Sequence, residues 1–153
     1  MEQGKIRNLI DTFNLCKPEG ALHGDFNVLT VRQPYATMLV SGMKDYEFRR
    51  WPIPKHLISE PILIHAAASI LNARIAVSEG DFEFYKQYAK SRNLFGCIIG
   101  IVVFGEPEPS DTPPFSGYRF PVMEFFRLGR PIFGIKGREK FWKIALSSPI
   151  KTE

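Results

Sequence analysis

Apolar residues recur at Ile6, Leu9, Ile10 and Phe13, a spacing of three and four that predicts a short amphipathic helix over residues 5–15. Pro18, Gly20 and Gly24 then punctuate the chain as a linker does. Residues 1–25 therefore read as a helical appendage and linker, and residues 26–150 as the main domain. The β-branched run at 27–31 predicts a strand. Pro34 suits the first turn of a helix, where its missing N–H costs no hydrogen bond. Tyr35, Met38 and Leu39 supply that helix with an apolar face, and Gly42 supplies its C-terminal cap. Beyond Gly42 the period changes to two. Tyr46 and Phe48 fall on one side, and Asp45, Glu47 and Arg49 on the other. The pattern predicts a strand with one wet, charged face.

Residues 61–67 predict another strand, and 70–77 and 81–91 two helices, the second striped by Phe82, Tyr85, Tyr88 and Ala89. The apolar run at 95–106 predicts a buried strand whose glycines mark a bulge or tight bend. Four prolines make 107–117 a loop. Residues 118–129 read as a strand with Pro121 at an edge or bulge. One or two short strands follow, with Phe141, Ile144 and Leu146 toward the core. About six short strands, with two or three helices among the early ones, indicate a small barrel or a strongly curved sheet.

A chain of 153 residues is expected to form one domain with a real core. The charged fraction of 24% fits a soluble globular protein. The net charge of +4 and pI near 9.1 tilt the choice of partners toward polyanions such as nucleic acid. Thirteen Phe and two Trp can fill a core or stack on planar ligands. Cys16 and Cys97 form no CxxC, which suits a reducing, cytoplasmic setting, or a nuclear one in a eukaryote. His23, His56 and His65 have unrelated spacings, so no metal site is expected, and without a dinucleotide fingerprint no cofactor is expected. The N-terminus lacks the uninterrupted apolar core of a signal peptide, and no apolar run approaches the ~20 residues of a membrane span.

Candidate chemistry concentrates at Lys44, Asp45, Glu47, Arg49 and Arg50, five charges within seven residues. Two readings stand side by side. The residues can form solvated surface pairs, each worth little. Alternatively, a carboxylate held charged between cations forms a pre-built hydrogen-bonding site, better suited to binding than to a general base poised near neutrality. A second concentration lies between Arg119 and Lys143, where seven cations, Lys136, Arg138 and Lys140 among them, face Glu124 and Glu139. With Phe133, Phe141 and Trp142 interleaved, this stretch reads as a phosphate-tracking surface or as solvated strand faces. The glycines of the Gly-Ile-Lys-Gly stretch at 134–137 permit close approach to a phosphate, or simply turn a hairpin.

The eleven positions Leu29, Gln33, Pro34, Tyr35, Ala36, Leu39, Gly42, Lys44, Glu47, Arg49 and Trp51 resemble the ASCH domain, named for activating signal cointegrator homology. The Ile-Leu-Ile-His-Ala-Ala run at 62–67 and the apolar stretches near 98–106 and 131–144 sit where that family's later strands lie. The resemblance implies an α+β, PUA-like fold: a small β-barrel of about six strands with two or three helices packed at one side. It further implies a cleft lined by Lys44, Glu47 and Arg49 that holds single-stranded RNA or a modified base. Gln33, Tyr35, Trp51, His65, Lys136 and Arg138 complete the candidate binding set. One branch of the family resembles small amidohydrolases acting on an acylated cytidine, with a catalytic Thr three residues after the Lys. Here that position is Glu47, and Thr37 and Ser41 lie upstream. The alternative to a binding module is thus a metal-independent hydrolase using Lys44 and Glu47. A third is a protein-interaction domain using the Pro-rich loop or the N-terminal helix.

Overall fold

A computed structural model describes residues 4–147 of the chain, so the expected domain end at 150 lies outside the described residues. In chain order the elements are α1 (Lys5–Phe13), β1 (Gly24–Gln33), α2 (Tyr35–Val40), β2 (Tyr46–Arg49), β3 (Pro61–Ile70), α3 (Glu79–Ser91), β4 (Cys97–Phe104), β5 (Glu108–Ser110), β6 (Gly117–Phe133) and β7 (Phe141–Leu146). The fold is α+β, with seven strands in one mixed sheet of order β2-β6-β4-β3-β1-β7 and β5 added beside β6. β1 and β3 run parallel, and every other pairing is antiparallel.

β6 is the hinge of the sheet. Its first residues, up to Pro121, pair with β2 and β5, and the rest pair with β4. Pro121 has no N–H for the ladder, but its carbonyl accepts from the Gly105 N–H at 2.9 Å. A register shift against Val103 and Phe104 follows at once, and there the sheet bends. The expected bulge in β4 lies at Gly100. Cys97 and Ile99 face one core while Val102 and Phe104, of opposite parity, face the same core. Only an extra residue between them can switch the alternation. A Cβ on Gly100 would lie 2.4 Å from the Phe126 carbonyl oxygen and 2.5 Å from Val40, so glycine also lets α2 press onto the strand.

Both sheet faces are covered, as apolar residues at both parities of β1, β3 and β4 require. Leu29, Ile62, Ile64 and Phe104 pack under α2 and α3. Val28, Leu63, Ile101 and Val103 pack under Ile6 and Ile10 of α1. The helices thus lie on both faces rather than at one side, because the apolar stripe of α1 covers the face that α2 leaves open.

Three further expectations change. The sheet does not close into a barrel: β2 and β7 end the strand path, and no backbone ladder joins them among the described residues. β2 is only four residues long and spends its ladder on β6, so side chains rather than backbone cross the remaining seam. Residues 70–77 form no helix, since Ala76 adopts φ +55° and Ile75 is buried as a plug against the core. Finally, the Pro-rich stretch at 107–117 contains β5, paired in a tight hairpin with the start of β6.

Candidate functional site

The unclosed seam is a cleft of about 380 Å³ whose walls include Thr30, Arg32, Tyr35, Lys44, Glu47, Arg49 and Trp51. Its position begins with Gln33. The buried Gln33 Oε1 accepts from the Thr37 N–H and hydroxyl, both at 3.0 Å, and its Nε2 donates to the Leu94 carbonyl at 2.9 Å. This amide anchors the start of α2, whose N-cap Pro34 offers no side-chain acceptor. Gln33 therefore serves the scaffold and stands outside the cleft. The Thr37 hydroxyl is occupied with Gln33, and Ser41 is not among the cleft residues, so neither supplies a nucleophile there.

Tyr35 opens α2 and is nearly buried. Its hydroxyl accepts from the Ile75 N–H at 2.8 Å and donates to the Ala73 carbonyl, pinning the 71–77 segment as a cleft wall. Burial raises its pKa above the usual phenol value. Gly42, with φ +76°, then ends α2 and turns the chain toward Lys44.

The charged face of β2 is not wet. Lys44 is 5% exposed and Glu47 6%. The Lys44 ammonium donates to the Tyr46 carbonyl at 3.1 Å and lies 4.3 Å from the Phe48 ring centre and 5.0 Å from that of Tyr35. Burial lowers its pKa to about 8, against the opposing pull of Glu47. Arg49 Nε donates to Glu47 Oε2 at 2.8 Å, and its NH2 donates to the Thr30 carbonyl at 2.8 Å. The guanidinium carbon also lies 5.5 Å from the Trp51 ring centre. Trp51 packs one edge on Phe120 and Phe141 and keeps part of its ring open to the cleft. Among the described residues, Arg49 is the only hydrogen-bond donor that reaches the Glu47 carboxylate. A carboxylate has about four acceptor sites, so Glu47, which lines the cleft, keeps acceptor capacity beyond the Arg49 bond.

His65 lies behind the cleft rather than in it. It is 1% exposed, with Nε2 2.6 Å from the Ile135 carbonyl and Nδ1 3.3 Å from Thr30 Oγ1. Trp142 Nε1 donates to the same Thr30 hydroxyl at 3.0 Å. The hydroxyl proton then turns to Nδ1, leaving Nε2 as the protonated nitrogen that meets Ile135. Burial lowers the His65 pKa, so the ring is neutral and structural. Gly137 crosses directly over it: an added Cβ would lie 2.8 Å from His65 Cε1. Gly137 thus serves close packing on His65, while Gly134, at φ +75° with open space around it, turns the chain.

The basic stretch from Arg119 to Lys143 does not form one surface, because β6 alternates and bends through it. Arg119 pairs with Glu108 at 2.8 Å, Arg127 donates to Tyr88, and Arg130 donates to the Pro18 carbonyl. Lys136 is exposed away from the cleft, while Arg138 and Lys140 line it. With Arg32, Lys44 and Arg49 they place five cations around two carboxylates, Glu47 and Glu139. Thr30, Arg32 and Phe115 were not among the sequence candidates. Thr30 and Arg32 carried a signal, being polar positions in an apolar strand; Phe115 in a Pro-rich loop carried none.

No helix among the described residues is long and apolar enough to cross a membrane. No curated protein matches the chain. The family model described as the ASCH domain matches residues 29–110, more than half of the chain.

Proposed function

The chain belongs to the ASCH domain family, a PUA-like family, and from that premise we propose that it is a nucleic-acid-binding module that takes an unpaired base, preferably of single-stranded RNA, into the seam cleft. The observation that carries this reading is the buried Glu47 carboxylate, held by a single protein donor and facing the cleft beside the Lys44 ammonium. An acceptor next to a donor matches a base edge that presents an amino group beside a ring acceptor. On a Watson–Crick edge such a pair is free only in unpaired strands. The open face of Trp51 offers stacking, a contact worth about 1–3 kcal/mol per base. Arg32, Arg138 and Lys140 supply charge for the flanking phosphates. The volume is at the low end for ligand sites, which suits one nucleotide rather than a long stretch.

The test is anisotropy of labelled single-stranded RNA, single-stranded DNA and duplex at two salt concentrations. Single strands should bind more tightly than duplex, more weakly at high salt, and more weakly by about 5- to 150-fold in Trp51→Ala. Unchanged binding in both Trp51→Ala and Arg138→Ala/Lys140→Ala would remove the cleft as the site.

A second reading rests on the Lys44 pKa near 8, which leaves a fraction of neutral amine at physiological pH. Neutral Lys44 would take the proton of a water oriented by Glu47, that water would attack the acyl carbon of an acylated base amine, and the Lys44 ammonium would return the proton to the base nitrogen as the C–N bond breaks, releasing acid and free amine. Release of acid from N-acylated cytidine should then rise with pH to a plateau above about 8 and vanish in Lys44→Arg. Absence of product at every pH leaves the binding module alone.

A further inference from the structure

Away from the cleft, two arginines share one aromatic ring. The Arg92 guanidinium lies 4.4 Å from the Tyr88 ring centre and that of Arg127 5.6 Å, and Arg127 NH1 donates to the Tyr88 hydroxyl at 3.1 Å. Arg92 is the C-cap of α3, and Arg127 stands opposite the Gly100 bulge of β4. Both border a separate cavity of about 310 Å³, lined also by Thr37, Leu94 and Pro131 and by no carboxylate. Neither arginine forms an ion pair among the described residues. The distances hold the two guanidiniums within about one Debye length of each other at 0.1 M salt, so their repulsion is only partly screened. Arg49 and Arg119, by contrast, each have a carboxylate partner, Glu47 and Glu108. Tyr88 orients this pair without neutralising it. Two forked donors lining one cavity suit a phosphate group, whose oxygens a guanidinium takes in pairs.

We propose that Arg92, Tyr88 and Arg127 form a second, phosphodiester-binding site that grips the backbone of the strand whose base enters the seam cleft. The inference rests on the binding reading above. α2 lies between the two sites: Tyr35 walls the cleft and Thr37 borders the arginine cavity. α2 itself is wholly buried, so a strand leaving the cleft reaches the arginines by crossing the elements that cover it. The cleft selects a base, and the arginine site adds affinity only to ligands longer than one nucleotide.

The experiment compares wild type, Arg92→Gln/Arg127→Gln and the cleft variant Trp51→Leu. Gln keeps part of the aliphatic stem and removes the charge and the forked donors, and thermal melting of each variant checks the fold. The probes are the four ribonucleoside monophosphates, followed by NMR shifts, and a mixed-sequence RNA octamer, followed by anisotropy against salt. The double arginine variant should bind the octamer at least tenfold more weakly in low salt. Its log–log salt slope should be shallower by about 1.4, the value for two lost phosphate contacts on a single strand. Its monophosphate binding should equal that of wild type. An unchanged octamer affinity and slope in a normally melting double variant overturns the second site, even if Trp51→Leu loses binding and the cleft reading survives. Octamer binding lost with the arginines but untouched by Trp51→Leu keeps the second site and overturns the cleft. A wild type that binds no octamer overturns both.

Discussion

Arg49 bridges the open seam to Thr30: its guanidinium donates to the Thr30 carbonyl at 2.8 Å, across a gap that no backbone ladder spans among the described residues. The same guanidinium holds Glu47, so one side chain joins β2 to β1 and sets the carboxylate of the cleft.

Arg49→Ala should leave Glu47 buried without a protein donor and cost about 3 kcal/mol of stability in urea unfolding. Adding Glu47→Gln to that variant should recover a good part of the loss, because a neutral amide is cheaper to bury than an unpaired carboxylate. A double variant no more stable than Arg49→Ala would mean that the Thr30 contact, not the ion pair, dominates.

Lys44 should make stability rise with pH in the alkaline range. Its folded pKa of about 8 lies below its ordinary value of 10.5, so between those values the unfolded chain binds more protons than the native one. Stability therefore increases from about pH 8 toward 10.5, by up to about 3 kcal/mol, and the penalty for burying the charge is fully present below pH 8. Urea unfolding of wild type and Lys44→Met across this range isolates the effect. Parallel pH profiles would show that Lys44 is not desolvated.

Tyr35→Phe should leave the Ile75 N–H without its acceptor, costing about 1–3 kcal/mol. The loss is local as well as global. Hydrogen exchange at the Ile75 amide should accelerate more than exchange in β4, as the 71–77 wall comes loose. Equal acceleration at both would assign the hydroxyl to the core alone.

Gly137→Ala should destabilise the chain by about 1–3 kcal/mol, because the new methyl meets His65 and the Thr30 hydroxyl at 2.8–3.0 Å. Relief by a second substitution, His65→Ala, would trace the cost to that contact. A neutral Gly137→Ala would show that the 134–140 segment can move aside.

Much of this was legible in the chain. The period-two pattern at 44–50, the cap at Gly42 and the buried run at 97–104 each follow from the spacing of residues within one element. The motif from Leu29 to Trp51 likewise marked Lys44, Glu47 and Arg49 as neighbours, because they sit on one short strand and its preceding turn. Spacing says which side chains share a face, but not what will cover that face. The burial of Glu47 depends on β1 arriving from another part of the sheet, and the hydrogen bonding of His65 depends on Trp142 and Ile135, far along the chain. The 70–77 segment has apolar residues enough for a helix, yet Tyr35 captures its backbone and Ile75 plugs the core instead. The seven cations from Arg119 to Lys143 share one stretch of sequence, but β6, the 134–140 segment and β7 send them to different faces. Local periodicity is a property of the chain; burial, and with it the charge state and hydrogen bonding of a side chain, is set by the distant segments that pack against it.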